Sequence, residues 1–163
     1  MNGVSKSYAM TGWRIGYAAG AKEIIKAIAK IQSQSTSNPS SVSQAAAVEA
    51  LSGKQDFIFE RSKAFQERRD FVVSELNKIN GINCLKPEGA FYVFPNISYY
   101  FGKNLKNKTI NNATDFSLYL LEEANVATVT GDAFGDKNCI RISYAASVSE
   151  IKEALKRIKE AVS

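Results

Sequence analysis

Lys6 and Arg14 stand eight positions apart, on either side of a bend at Gly12, in the stretch Ser5-Lys6-Ser7-Tyr8-Ala9-Met10-Thr11-Gly12-Trp13-Arg14-Ile15-Gly16-Tyr17. Small and hydroxylated residues surround the lysine, and the arginine leads into the apolar run Ile15-Gly16-Tyr17-Ala18-Ala19. If the bend folds Arg14 back toward Lys6, the two cations face one pocket. Crowded cations repel each other unless an anion joins them or the amine sheds its proton. A ligand carrying both a phosphate and an aldehyde satisfies both conditions. The planar guanidinium grips the phosphate through a bidentate fork, and the amine condenses with the aldehyde as a Schiff base.

That combination is the chemistry of pyridoxal phosphate. A lysine alone is an ordinary surface residue, so the weight lies in the order of the whole string. Residues 5–17 closely resemble the lysine segment of class I aminotransferases of the aspartate aminotransferase type. The likeness is strongest to the bacterial branch that includes aspartate and prephenate aminotransferases. The resemblance implies that Lys6 is catalytic and bonds to pyridoxal 5'-phosphate, and that Arg14 binds the cofactor phosphate. Ser5 and Ser7 can also reach a phosphate, but they read equally well as ordinary turn hydroxyls. Trp13 reads as packing.

Arg141 is the second residue of interest. It sits mid-strand in Cys139-Ile140-Arg141-Ile142-Ser143-Tyr144-Ala145, on the smaller and more polar face. A guanidinium is costly to bury unpaired. From the residue alone, an ion pair with a core carboxylate or an exposed sheet face is the ordinary answer, and a clamp for a substrate carboxylate is the functional one. Together with Gly131-Asp132-Ala133-Phe134-Gly135, this string is similar to the carboxy-terminal signature of the same family. There the matching arginine binds the substrate α-carboxylate. Thr130 stands just before Gly131, where the family commonly has proline, and this would loosen the turn. Pro87-Glu88-Gly89-Ala90-Phe91-Tyr92-Val93-Phe94-Pro95 also resembles a family segment, on the substrate side of the small lobe. Aromatic strands are usually core, so Phe91 and Tyr92 are given no catalytic role.

Composition removes several alternatives. The 163 residues include no histidine, which excludes Ser-His, Cys-His and His-metal sites within the chain. Cys84 and Cys139 lie in apolar surroundings and read as reduced core thiols of a cytoplasmic protein. A net charge of +5, with the positive residues interleaved with acidic ones, makes no nucleic-acid stripe. No membrane span is present.

Periodicity gives an α/β chain. Residues 13–19 suit a buried strand. Ile24, Ile28 and Ile31 mark a helix over residues 21–34. Asn38 and Pro39 predict a second helix with Asn38 as cap and Pro39 first in line, stopping at Gly53. A long helix over residues 55–80 carries Ile58, Phe65, Val72, Leu76 and Ile79 on one face. Short strands follow at 82–85 and 90–94, then a polar, mobile loop over 99–112. A helix capped within residues 112–115 carries Phe116, Leu120 and Ala124 inward. Strands at 126–130 and 139–145 flank a turn-rich loop. In the latter, Ile140, Ile142 and Tyr144 face one way and Cys139, Arg141 and Ser143 the other. Ser147 and Glu150 form a capping box for a last helix with the stripe Ile151, Leu155, Ile158 and Val162.

The resemblance implies the small carboxy-terminal lobe of an aminotransferase, with helices packed on a small sheet, plus the lysine-bearing strand and helices of the large lobe. Residues 1–53 would belong to the large cofactor-binding domain, and 54–163 to the small domain with its connecting helix. The aspartate that partners the pyridine nitrogen would lie in an amino-terminal part outside this sequence. The expected reaction is amino transfer between an amino acid, aspartate by resemblance, and a 2-oxo acid, in a homodimeric full-length protein. Two alternatives stay open: another fold-type I reaction such as an amino-acid lyase, or an inactive fragment that only folds or associates.

Overall fold

A computed structural model describes residues 1–163. The chain divides into two compact units, Met1–Arg61 and Ser62–Ser163.

In the first unit, β1 (Asn2–Gly3) pairs antiparallel with β2 (Gly16–Tyr17), placing Gly3 opposite Gly16. The strand expected over 13–19 is thus confined to two residues, both exposed. A 3-10 turn at Thr11–Trp13 and a left-handed Arg14 (φ 51°) occupy the positions before it and stop an extended ladder from forming. Two helices follow, α1 (Lys22–Ser35) and α2 (Ser41–Ser52). The cap of α2 falls on Ser40, two residues beyond the expected Asn38. The Asn38 and Gln44 side-chain amides both donate to the Pro39 carbonyl at 2.9 Å, so Pro39 stays outside the helix. Gly53 ends α2, its N–H donating to the Glu49 carbonyl. The isoleucines of α1 form the row their spacing predicts, yet Ile24, Ile28 and Ile31 are 60%, 47% and 71% exposed. A small core gathers Val4, Met10 and Ala47, with Tyr8, Ile15, Ala46 and Ala50 against it.

Helix α3 (Asp56–Leu76) carries the chain from one unit into the next. It stops short of the expected residue 80. The chain tightens there into i→i+3 turns, with the Lys78 N–H on the Glu75 carbonyl and the Ile79 N–H on the Leu76 carbonyl; five residues past the helix, at Gly81 (φ 87°), the Tyr99 ring occupies the space a Cβ would need.

The second unit is built on the antiparallel sheet β3 (Tyr92–Val93), β7 (Ile140–Ser143), β6 (Val129–Thr130), in that order with β7 central. The strand expected over 82–85 reduces to a bridge between Asn83 and Asn96. The Asn77 side chain binds both the N–H and the carbonyl of Cys84, at 2.8 and 2.9 Å, in place of a strand neighbour.

The loop expected over 99–112 is an ordered hairpin, β4 (Lys103–Leu105) against β5 (Lys108–Ile110). Lys106 and Asn107 both have positive φ, as a two-residue hairpin turn requires. Lys108 reaches Glu122 and Glu123 on α4 (Ala113–Ala124). Polar composition hid an ordered element whose turn signal was Asn107.

Asn112 caps α4, accepting from the Asp115 N–H at 2.9 Å. Left-handed Asn125 ends it, with the Val126 N–H returning to the Leu120 carbonyl. Ser147 and Glu150 form the capping box of α5 (Val148–Val162). The core joins Val72 and Leu76 of α3, Phe116 and Leu120 of α4, Ile140 of β7, and Ile151, Leu155 and Ile158 of α5. Cys139 is buried, as a core thiol is expected to be, and its carbonyl accepts the Gly131 N–H of the preceding turn. No helix is long and apolar enough to cross a membrane.

Candidate functional site

Pairing of β1 with β2 closes residues 4–15 into a loop whose two ends meet. Lys6 lies three residues beyond Gly3, and Arg14 two residues before Gly16. The loop is anchored from inside by buried Val4 and Met10. Tyr8 donates its hydroxyl to Gln55 Oε1 at 2.8 Å, and Ser43 of α2 donates to the Trp13 carbonyl at 2.8 Å. The Trp13 side chain itself is substantially exposed.

Two further bonds connect the cation-bearing turns. Thr11 Oγ1 donates to the Ser5 carbonyl at 3.0 Å, and Arg14 Nη1 donates to the Thr11 carbonyl at 3.4 Å. The Lys6 carbonyl accepts the Ala9 N–H at 3.1 Å, which closes the lysine turn. Lys6, Ser7 and Arg14 are all exposed on this loop. Left-handed backbone at Ala9 (φ 56°) and Arg14 (φ 51°) is a conformation that costs a non-glycine residue on the order of 1 kcal/mol or more. Anchoring to α2 and Gln55 holds it. Residues 4–15 contain no acidic side chain, and the loop carries an amine, a guanidinium and hydroxyls. That donor set suits a phosphate.

Arg141 belongs to the second unit. It pairs with Val129 across β7 and β6, while Tyr92 of β3 pairs with Ser143. Residues 141 and 143 share one face of β7, which makes Tyr92 a diagonal neighbour of Arg141. The Arg141 Cζ lies 4.4 Å from the centre of the Tyr92 ring and 4.2 Å from that of Phe134. No carboxylate of the chain forms an ion pair with it. Of the two ordinary readings, the core acid is absent, while the sheet face that carries Arg141 is partly exposed and bears aromatic rings.

Phe134 is delivered by the 3-10 turn Gly131–Phe134. Gly131 is buried, with its N–H 2.8 Å from the Cys139 carbonyl oxygen. A Cβ there would fall 2.1 Å from the Asp136 oxygen and 2.3 Å from that of Cys139, so only glycine lets the turn close on β7. Thr130 adopts φ −58°, the value a proline would fix, so its ladder and the turn form without proline. Phe94 packs edge-on against Phe134, with ring centres 6.4 Å apart.

Sequence reasoning passed over Tyr92 and Phe134. Tyr92, in an aromatic strand, reads as core from sequence. Phe134 carried no signal, because its approach to Arg141 depends on strand pairing that spacing does not disclose. Burial pushes both the Cys84 and the Cys139 thiols up to about 11, which keeps them protonated and unreactive at neutral pH.

Residues 1–158 match the family model for aminotransferase class I and II. The aspartate aminotransferase of Rhizobium meliloti strain 1021 is 59% identical over 162 residues, covering 99% of this chain and 40% of that protein. A probable aspartate/prephenate aminotransferase of Rickettsia typhi is 57% identical, covering 99% and 41%. The crystal structure of an aspartate aminotransferase from Rhizobium meliloti superimposes with a TM-score of 0.92 at 58% identity, covering 98% of this chain and 40% of that one. A Thermus thermophilus aspartate aminotransferase mutant gives 0.86 at 36% identity, covering 98% and 42%. The chain thus spans about two fifths of the length of the relatives it matches.

Proposed function

The chain belongs to the class I and II aminotransferase family, and we propose that it forms the carboxy-terminal portion of an enzyme that uses pyridoxal 5'-phosphate to move an amino group between an amino acid and a 2-oxo acid. Aspartate with 2-oxoglutarate is the proposed pair. The observation that carries this reading is the closed loop of residues 4–15, which ties the Lys6 turn to Arg14 through Thr11 in a chain so similar to aspartate aminotransferases.

The groups on the loop fit the cofactor. When bound, it supplies an electron-withdrawing ring that stabilises negative charge at the substrate α-carbon. Arg14 holds the phosphate through its guanidinium fork. Lys6 Nζ would hold the aldehyde end until the substrate amine displaces it, and the freed amine would then move the substrate α-proton, acting as base and then as acid. Arg141 holds the substrate carboxylate edge-on. Residues 1–53 belong to the cofactor-binding domain and 54–163 to the small domain. The full-length protein is a cytoplasmic homodimer. Two unpaired, buried thiols suit a reducing compartment, and the exposed isoleucines of α1 offer apolar area for assembly to cover.

A chimera tests this reading, with residues 1–163 replacing the matching segment of the Rhizobium meliloti relative. Pyridoxal phosphate followed by borohydride reduction and peptide mapping is expected to label Lys6. Aspartate and 2-oxoglutarate are expected to exchange the amino group, without elimination. Label on another residue would remove Lys6 from its role, and elimination in place of transfer would make the enzyme a lyase.

A further inference from the structure

We infer that Tyr92 and Phe134 are positioning residues that hold the Arg141 guanidinium between two rings and leave its in-plane N–H fork as the face a carboxylate meets. The inference rests on the proposed role of Arg141 and deepens it.

A guanidinium has two flat faces and an edge. Its faces attract aromatic rings, while its N–H groups all point outward in the plane. At Arg141 the Tyr92 and Phe134 ring centres stand 4.4 and 4.2 Å from Cζ, within the range of cation–π attraction. The two rings come from different parts of the chain. Tyr92 of β3 is set by its register with Ser143 of β7, and Phe134 by the turn that Gly131 allows to close on β7. Phe94 supports Phe134 from the side.

Rings cannot accept the in-plane N–H groups as a carboxylate can, and no acid of the chain does so. The fork therefore stays available. Its preferred partner is a planar, two-oxygen anion lying in the plane of the guanidinium. Phe134 is 47% exposed, so it contributes little as core. The rings fix the orientation of a flexible side chain before the ligand arrives, which lowers the cost of ordering it on binding.

The test uses the full 163-residue chain, nitrogen-15 labelled, with propionate as the carboxylate probe and the arginine Nε–H resonances as the readout. The Arg141 resonance is identified by its loss in R141K. It is expected upfield of the other arginines through ring shielding, and to shift on addition of propionate. F134L and Y92L are expected to lose the upfield position and to weaken propionate about three- to tenfold. F134Y, which keeps a ring, is expected to restore both. Circular dichroism checks that each variant folds. Propionate affinity that falls in R141K but not in F134L or Y92L overturns the sandwich and leaves the assignment of Arg141 standing. Affinity indifferent to R141K removes both.

Discussion

Thr11 Oγ1 donates to the Ser5 carbonyl at 3.0 Å, and the same Thr11 accepts Arg14 Nη1 on its own carbonyl. One residue thus ties the turn that carries the amine to the turn that carries the guanidinium. Thr11→Val removes the hydroxyl at nearly constant volume, and Thr11→Ser keeps it. The Val variant is expected to lose about 0.5–1 kcal/mol, at the low end for a hydrogen bond because the site is exposed. In the chimera it should also slow cofactor labelling of Lys6. Urea unfolding and the labelling rate check this. A Val variant that matches the Ser variant in both would show that the tie holds nothing in place.

Alkaline pH is expected to weaken the chain through its buried thiols. Burial raises Cys84 and Cys139 to about 11 in the folded state. Below the ordinary thiol range both states hold their protons, and nothing changes with pH. Above it the unfolded chain ionises first while the folded chain stays protonated, so stability falls as pH rises toward 11. Tyr100, raised to about 12 by burial, acts with the same sign at higher pH. The urea midpoint should drop between pH 8 and pH 10.5, and drop less in the Cys84→Ala/Cys139→Ala double variant. Equal slopes for the two proteins would place the alkaline sensitivity elsewhere.

By itself the 163-residue chain is expected to show negligible amino transfer. It matches about two fifths of its relatives' length. The loop of residues 4–15 supplies an amine and one guanidinium, and neither can serve the pyridine nitrogen as an acid would. Turnover is measured with added pyridoxal phosphate, aspartate and 2-oxoglutarate. A rate comparable to the chimera's would mean that residues 1–163 suffice.

What could be read from sequence divides along physical lines. Helices with strong caps were legible, because Asn112, Ser147 and Gly53 act on their immediate neighbours. The string around Lys6 was legible as a family resemblance, which the match over residues 1–158 bears out, but its strand was not. Left-handed Arg14 ended the ladder, and β-propensity carries no signal for that. The β4–β5 hairpin was missed because Lys106-Asn107 differs from the common Asn-Gly and Asp-Gly turns. The rings over Arg141 were missed because pairing across β3, β7 and the Gly131 turn is long-range in sequence. Spacing fixes a residue's face, not its partner.

The apolar row of α1 marks the sharpest gap between pattern and burial. Ile24, Ile28 and Ile31 repeat as a core-facing stripe does, and all three are exposed, whereas Leu155 at the same kind of position on α5 is 7% exposed. Hydrophobic stabilisation scales with area removed from water, not with periodicity. Ile28→Gln should therefore change the stability of this chain by no more than about 0.5 kcal/mol. Leu155→Ala should cost about 2–4 kcal/mol, since it empties a packed site between α5 and the core. In the chimera the asymmetry is expected to shrink if added chain or a second subunit covers α1, and Ile28→Gln would then become costly. Thermal or urea unfolding of both variants, in both proteins, reads the difference. A large loss from Ile28→Gln in the 163-residue chain alone would mean that α1 is already covered in solution, by a second copy of the chain, and a sedimentation run would detect it.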